Sequence, residues 1–210
     1  MLTPDGTDGY EIATGSRSAT VVAPTRNAGA NLRTVFWSGA ARPQRDALTC
    51  ATWINATSDG VQQGSAVRID AKAGGFVRAV TVTKNIYLNG FWIFNVHVWE
   101  SATNEMRRIA SVDLRETFAS PVSAPPAVPV ARALPWRLCT RVAGSTLEFK
   151  AWRLTELEPV WGDPAHGATV QLPPDAPTQG YAGWYVGHLE PGATTSFIDL
   201  VTGDGSPRSR

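Results

Sequence analysis

Residues 134–152 alternate apolar and polar side chains with a period of two on both sides of Gly144-Ser145. In the first arm Trp136, Leu138, Thr140 and Val142 fall opposite Arg137, Cys139, Arg141 and Ala143; in the second Leu147, Phe149 and Ala151 fall opposite Glu148, Lys150 and Trp152. Successive side chains of a strand point to opposite faces, so this spacing predicts a β-hairpin. Gly144 can take the positive φ that a tight hairpin turn demands. The two arms then pair antiparallel and present one apolar face together. A lone hairpin is marginally stable in water, so that face requires a second sheet to cover it.

The rest of the chain supplies the strands for such a sheet. Residues 47–56 place Leu48, Cys50, Thr52 and Ile54 opposite Thr49, Ala51 and Trp53. Residues 62–71 form the next strand, and Lys72-Ala73-Gly74-Gly75 turns the chain into residues 76–84, where Val80 and Val82 oppose Ala79, Thr81 and Thr83. Over residues 85–100, Trp92, Phe94, Val96 and Val98 make a continuous apolar face, while Phe91, Ile93, Asn95, His97 and Trp99 make a mixed one. Further strands are predicted at residues 107–114, 170–172, 181–189 and 195–200, with shorter candidates at 10–12, 20–23 and 32–38. Helix signals are nearly absent and no repeat period is visible. About a dozen short strands predict an all-β fold built as a two-sheet antiparallel sandwich.

Pro121, Pro125, Pro126 and Pro129, with Pro135 just beyond, make residues 118–134 a semi-rigid extended connection. It is not a domain boundary, because the hairpin after it needs the earlier strands for its core. The expected organisation is an N-terminal arm over residues 1–20, a sandwich over 21–202 and a C-terminal tail over 203–210.

Composition narrows the function classes. With 43% hydrophobic and 18% charged residues in a chain of 210, the body of the protein is long enough and apolar enough to bury a core. A net charge of +1 with scattered basic residues argues against a nucleic-acid groove. No apolar run approaches the ~18 to 20 residues that span a bilayer, so no membrane insertion by a helix is expected. Taken as a native start, Met1 opens a segment without the basic beginning and apolar middle of a secretory signal peptide. Cys50 and Cys139 both fall in predicted strands and read as two buried thiols acting as small hydrophobes, with a disulfide between neighbouring strands as the alternative.

The pattern Trp136-x-Leu138-x-x-Arg141-Val142-x-Gly144-x-x-Leu147-x-x-Lys150-x-Trp152 is followed by Glu158-Pro159-x-Trp161, by Gly183-Trp184-Tyr185-Val186-Gly187 and by Asp199-Leu200. This succession resembles the C-terminal half of a concanavalin A-like (laminin-G-like) jelly-roll domain. Gln63-Gly64-x-Ala66-Val67-Arg68-Ile69 is similar to an early strand of the same family. The resemblance implies a jelly-roll sandwich, and such folds host lectins, glycosidases and adhesion modules alike. Glycosidases of this family carry their acids on one strand as Glu-x-Asp-x-x-Glu, and no such run occurs here. Gly-x-Ser-x-Gly is also missing, and His97, His166 and His188 have no obvious partner serine or cysteine. The reading is therefore of a non-catalytic module, with a glycoside hydrolase using an unfamiliar acid pair as the weakest alternative.

Asn95, His97 and Trp99 share one strand face, and Lys150 and Trp152 are expected on the same sheet. A tryptophan ring beside amide and imidazole groups is chemically suited to a sugar, whose C–H face stacks on the indole. The same residues also serve in any sandwich as rim packing and as a Lys150–Trp152 cation–π pair. Trp161 and His166, on a long loop, make a second candidate patch. No cofactor is expected. Calcium is the minor possibility the family implies, with Asp163 and Asp199 the nearest ligands, although neither has the dense acidic loop calcium usually requires and turn capping is the favoured reading. Carbohydrate recognition is thus the leading expectation, and a virion, tail or surface-complex subunit that contacts other proteins is the rival.

Overall fold

The computed structural model describes residues 9–25, 32–58, 60–87, 91–118 and 135–205. Among them thirteen strands occur and no α-helix, the one helical element being a 3-10 turn at Ala73–Gly75. In chain order the strands are β1 Glu11–Thr14, β2 Ser18–Val22, β3 Arg33–Phe36, β4 Ala47–Ala56, β5 Gln62–Ala71, β6 Val77–Lys84 and β7 Ile93–Glu100. They continue with β8 Glu105–Asp113, β9 Trp136–Ala143, β10 Thr146–Arg153, β11 Gly167–Gln171, β12 Tyr181–Gly187 and β13 Thr194–Gly203. The proline-rich stretch after Phe118 and the last residues of the expected tail lie outside the described residues.

Two antiparallel sheets form. One has seven strands in the order β1-β2-β13-β4-β9-β10-β11, the other six in the order β3-β12-β5-β6-β7-β8. The predicted hairpin is β9–β10, with Val142 opposite Leu147 and Thr140 opposite Phe149, closed by Gly144 at φ 54°. Part of the segment read from sequence as an arm is sheet: β1 and β2 pair with each other, and β2 pairs with β13.

The apolar faces meet as the alternation requires. Trp53 of β4 and Trp136 of β9 stack with ring centroids 4.7 Å apart, and Trp92 meets Trp136 edge-on at 5.4 Å. Phe149 lies 5.7 Å from Phe94 of the facing sheet, and Trp53, Trp92, Phe94, Trp136 and Phe149 are all fully buried. Truncating any one of these rings to alanine would cost about 3–5 kcal/mol. Polar ties also cross between the sheets: Thr49 Oγ1 donates to the Gly183 carbonyl at 3.0 Å, Gln63 Nε2 to Thr195 Oγ1 at 3.1 Å, and the Ser65 and Thr140 hydroxyls meet at 2.6 Å.

Each sheet also carries an apolar cluster on its outer face. Val35, Ala66, Ile69, Val77, Ala79, Trp99 and Tyr185 cover the six-stranded sheet; Cys50, Cys139 and Trp152 cover the seven-stranded one. The two cysteines are not free thiols. They stand opposite each other on β4 and β9, Cα atoms 4.1 Å apart, and are joined by a disulfide. Their separation of 89 residues hid the pairing, which is set by which strands become neighbours.

Candidate functional site

The candidate residues divide between the two outer faces. Lys150 and Trp152 do not share a sheet with Asn95, His97 and Trp99, because β10 joins the seven-stranded sheet and β7 the six-stranded one. On the seven-stranded side the Lys150 ammonium donates to Glu158 Oε1 and to the Pro159 carbonyl, each at 2.7 Å, and sits 5.4 Å from the Trp152 ring and 4.7 Å from the Trp161 ring. The Arg141 guanidinium lies 4.4 Å from the Trp161 ring centroid. Two cations thus engage the Trp161 indole, an arrangement that locks a loop rather than opening a stacking surface. His166 closes the same loop, with Nδ1 2.8 Å from Asp163 Oδ2 and Nε2 3.6 Å from Glu156 Oε2. Asp163 accepts from the Ala165 backbone N–H, which, with His166, holds its carboxyl below the usual carboxylate range. Asp199 sits at a bulge of β13 with φ 52°, 3.8 Å from Arg17. Among the described residues no three His, Cys, Asp or Glu side chains are grouped to hold a metal ion.

Asn95, His97 and Trp99 do fall together on the outer face of the six-stranded sheet. Cross-strand pairs share a face. Asn95 stands between Thr83 and Ser111, His97 between Thr81 and Arg108, and Trp99 between Ala79 and Met106. The Ser111 hydroxyl donates to Asn95 Oδ1 at 2.6 Å. Trp99 offers no ring face to solvent: it is fully buried, edge-on to Tyr185 at 5.8 Å. Burial raises the Tyr185 phenol far above its ordinary pKa, and its hydroxyl donates to Gln62 Oε1 at 2.7 Å. His97 is 8% exposed, and its pKa is lowered to about 4, first by burial and then by the charges of Arg108 and Arg33.

Three polar atoms on this face are buried with no hydrogen-bond partner: Thr81 Oγ1, His97 Nδ1 and Trp99 Nε1. A side-chain contact spans the sheet from edge to edge. Arg33 opens β3 at one edge of the sheet, and Asn104 lies in the turn between β7 and β8 at the other. Even so, Arg33 Nη1 donates to Asn104 Oδ1 at 2.7 Å, while Nη2 meets His188 Nε2 at 3.1 Å. Asn104 and His188 hold φ 54° and 57°, a left-handed conformation that Asn and His tolerate better than most residues. At the margin of the face the half-buried rings of Trp37 and Tyr181 stack at 4.9 Å. Arg33, Arg108, Trp37 and Tyr181 were not among the residues singled out from sequence. Only Thr81 left a signal, through its alternation with Val80 and Val82.

No family model matches the sequence, and no curated protein matches it. Solved structures do match. The chain is similar to the carbohydrate-binding module CBM66 from Bacillus subtilis, at 12% identity over 93% of this chain and 92% of that one, with a TM-score of 0.57. It is similar to a protein of unknown function with a galectin-like fold from Bacillus subtilis, at 11% identity over 93% and 86%, TM-score 0.54. A legume lectin-like domain from Entamoeba histolytica matches at 8% identity over 97% and 96%, TM-score 0.52. The fold is a concanavalin A-like jelly roll. At such identities the likeness is one of architecture.

The jelly roll also bears clefts beyond the group around His97, one of which shares Trp37 with the margin of that face. One of about 630 Å3 lies at the β9–β10 turn beside Arg45, Asp46 and Leu172. Its wall is Arg68, whose guanidinium donates to the carbonyls of Arg45, Pro177 and Gly144. A second, of about 500 Å3, lies between the sheets beside Arg17, Phe36 and Trp184, and a third, of about 250 Å3, beside Arg42 and Gln44. None of these three is lined by more than one carboxylate, whereas hydrolysis of a glycosidic bond by the common route needs two.

Proposed function

We propose that this jelly roll is a non-catalytic carbohydrate-recognition module that binds saccharide through the outer face of its six-stranded sheet. The observation that carries the reading is the group of unpartnered atoms on Thr81, His97 and Trp99. A buried polar atom left without a partner costs about 1–3 kcal/mol. These three differ in kind: a hydroxyl that donates and accepts, an imidazole nitrogen and an indole donor. A dense array of hydroxyls, each able to donate and accept, is the chemistry that satisfies such a mixture. The stacked, half-buried Trp37 and Tyr181 supply a flat apolar surface for the C–H face of a sugar ring. Similarity to a carbohydrate-binding module and to a legume lectin-like domain supports the same reading. The Arg33–Asn104 contact, a charge-assisted hydrogen bond between the two edges of the sheet, would part to widen the face for a ligand.

A second reading, a subunit that docks other proteins, draws on the braced loop between β10 and β11. There Leu154, Leu157 and Val160 are 45%, 93% and 74% exposed. Affinity electrophoresis and titration calorimetry against a glycan panel separate the two. Under the carbohydrate reading Thr81→Val and His97→Ala each weaken binding by about tenfold or more, and Trp161→Ala leaves it unchanged. Binding that survives both substitutions, or a panel with no bound glycan, rejects the assignment. Trp99→Ala is a poor probe, because it would empty a fully buried site.

A further inference from the structure

We infer that the saccharide bound at this face is anionic, carrying a carboxylate or sulfate group within reach of Arg108 and Arg33. The inference rests on the carbohydrate reading and adds the class of sugar. By strand alternation, few charged side chains of the six-stranded sheet share this outer face with His97. Arg33 begins β3, His97 stands on β7, and β8 brings Arg108, directly opposite His97, and Asp113, opposite Ile93. Asp113 is already engaged, since Arg115 Nε donates to both of its carboxylate oxygens at 2.9 Å. Between His97 and the Arg33–Asn104 contact this outer face therefore holds two guanidiniums, and the exposed acid next to Asn104, Glu105, stands opposite Glu100 and so alternates to the other side of the sheet.

The arrangement divides the work. His97 stays neutral at ordinary pH because burial and the two arginines oppose its protonation, so it is fitted to hydroxyls and not to the charge. Arg108 is exposed at the rim. A neutral sugar laid across it would return single charge-assisted bonds to its hydroxyls but bring no counter-charge to the guanidinium. A carboxylate or sulfate returns paired, charge-assisted N–H···O contacts that match the planar fork. Parting of Arg33 from Asn104 would present the second guanidinium to the same anion.

The test begins with the full chain on an array holding neutral, uronate-containing and sulfated glycans, followed by calorimetry of the best charged binder against its uncharged homologue. The expected result is binding at least about tenfold tighter for the charged sugar, weakening as salt is raised. Arg108→Glu should weaken the charged sugar by about tenfold or more, while the uncharged homologue stays within about twofold. Preference for uronates or for sulfate esters identifies the anion. Equal or tighter binding of uncharged homologues, or indifference of the charged sugar to Arg108→Glu, overturns the inference. If charged and uncharged sugars bind alike and both are lost in His97→Ala, the carbohydrate reading stands and only the anionic preference fails. An array with no bound glycan removes both.

Discussion

His97 is a base kept from its proton. Its pKa in the folded protein is about 4, against 6.5 for a free imidazole, with burial the first cause and the Arg108 and Arg33 charges the next. As pH falls below 6.5 the unfolded chain takes up a proton that the folded chain refuses until about pH 4. The unfolded state thus binds more protons across that window, so stability declines as acid is added, by up to about 3 kcal/mol. Urea midpoints measured at pH 7 and at pH 4.5 should draw apart in the native sequence and converge in His97→Gln. An identical acid sensitivity in both proteins would show that another group is responsible. The alternation around His97 was readable in the sequence, and so was its company with Asn95 and Trp99. The burial of Trp99 was not, because Tyr185 arrives from a strand late in the chain. Gly183 shows the same limit: as a family-like motif glycine it was legible, but its reason is spatial, since a Cβ there would lie 2.1 Å from the Phe36 carbonyl oxygen.

Among the elements, the β9–β10 hairpin shows how far local chemistry reaches. Its turn, its register and its two faces follow from Gly144 and from the period-two pattern. Its sheet does not, and that is why Lys150 and Trp152 were expected beside His97 but stand on the other side of the sandwich. What β10 offers outward is decided by the loop that follows, which folds back and places Trp161 between Arg141 and Lys150. The disulfide belongs to the same scale, for it clamps β4 to β9 at the middle of the seven-stranded sheet. Closing a loop of 89 residues restricts the unfolded chain, and bonds of this kind contribute about 2–4 kcal/mol. The Cys50→Ala/Cys139→Ala double variant should therefore unfold at lower denaturant concentration than the oxidised protein. Addition of reductant should shift the native sequence toward the variant and leave the variant itself unmoved. Coincident curves under all conditions would show that the bond adds nothing to stability.

At the scale of the whole molecule, the last strands complete sheets begun by the first. β13 lies between β2 and β4, and β12 lies between β3 and β5. Phe197 of β13 packs 5.5 Å from both Trp53 and Phe36, so the final strand closes the central core. A chain ending before Thr194 should lose the near-ultraviolet circular dichroism of its packed tryptophans and unfold without cooperativity; a sharp two-state transition in that fragment would contradict this architecture. The amino-acid sequence by itself determined that the chain is a stack of pleated sheets, because alternation is a property of neighbours along the backbone and declares where each strand's faces begin. Which sheet each strand joins, which cysteines meet, and which polar atoms end up buried without partners were decided only in three dimensions. Those outcomes depend on strands far apart in the chain competing to cover one another, and a period of two announces that a face must be covered without saying by what.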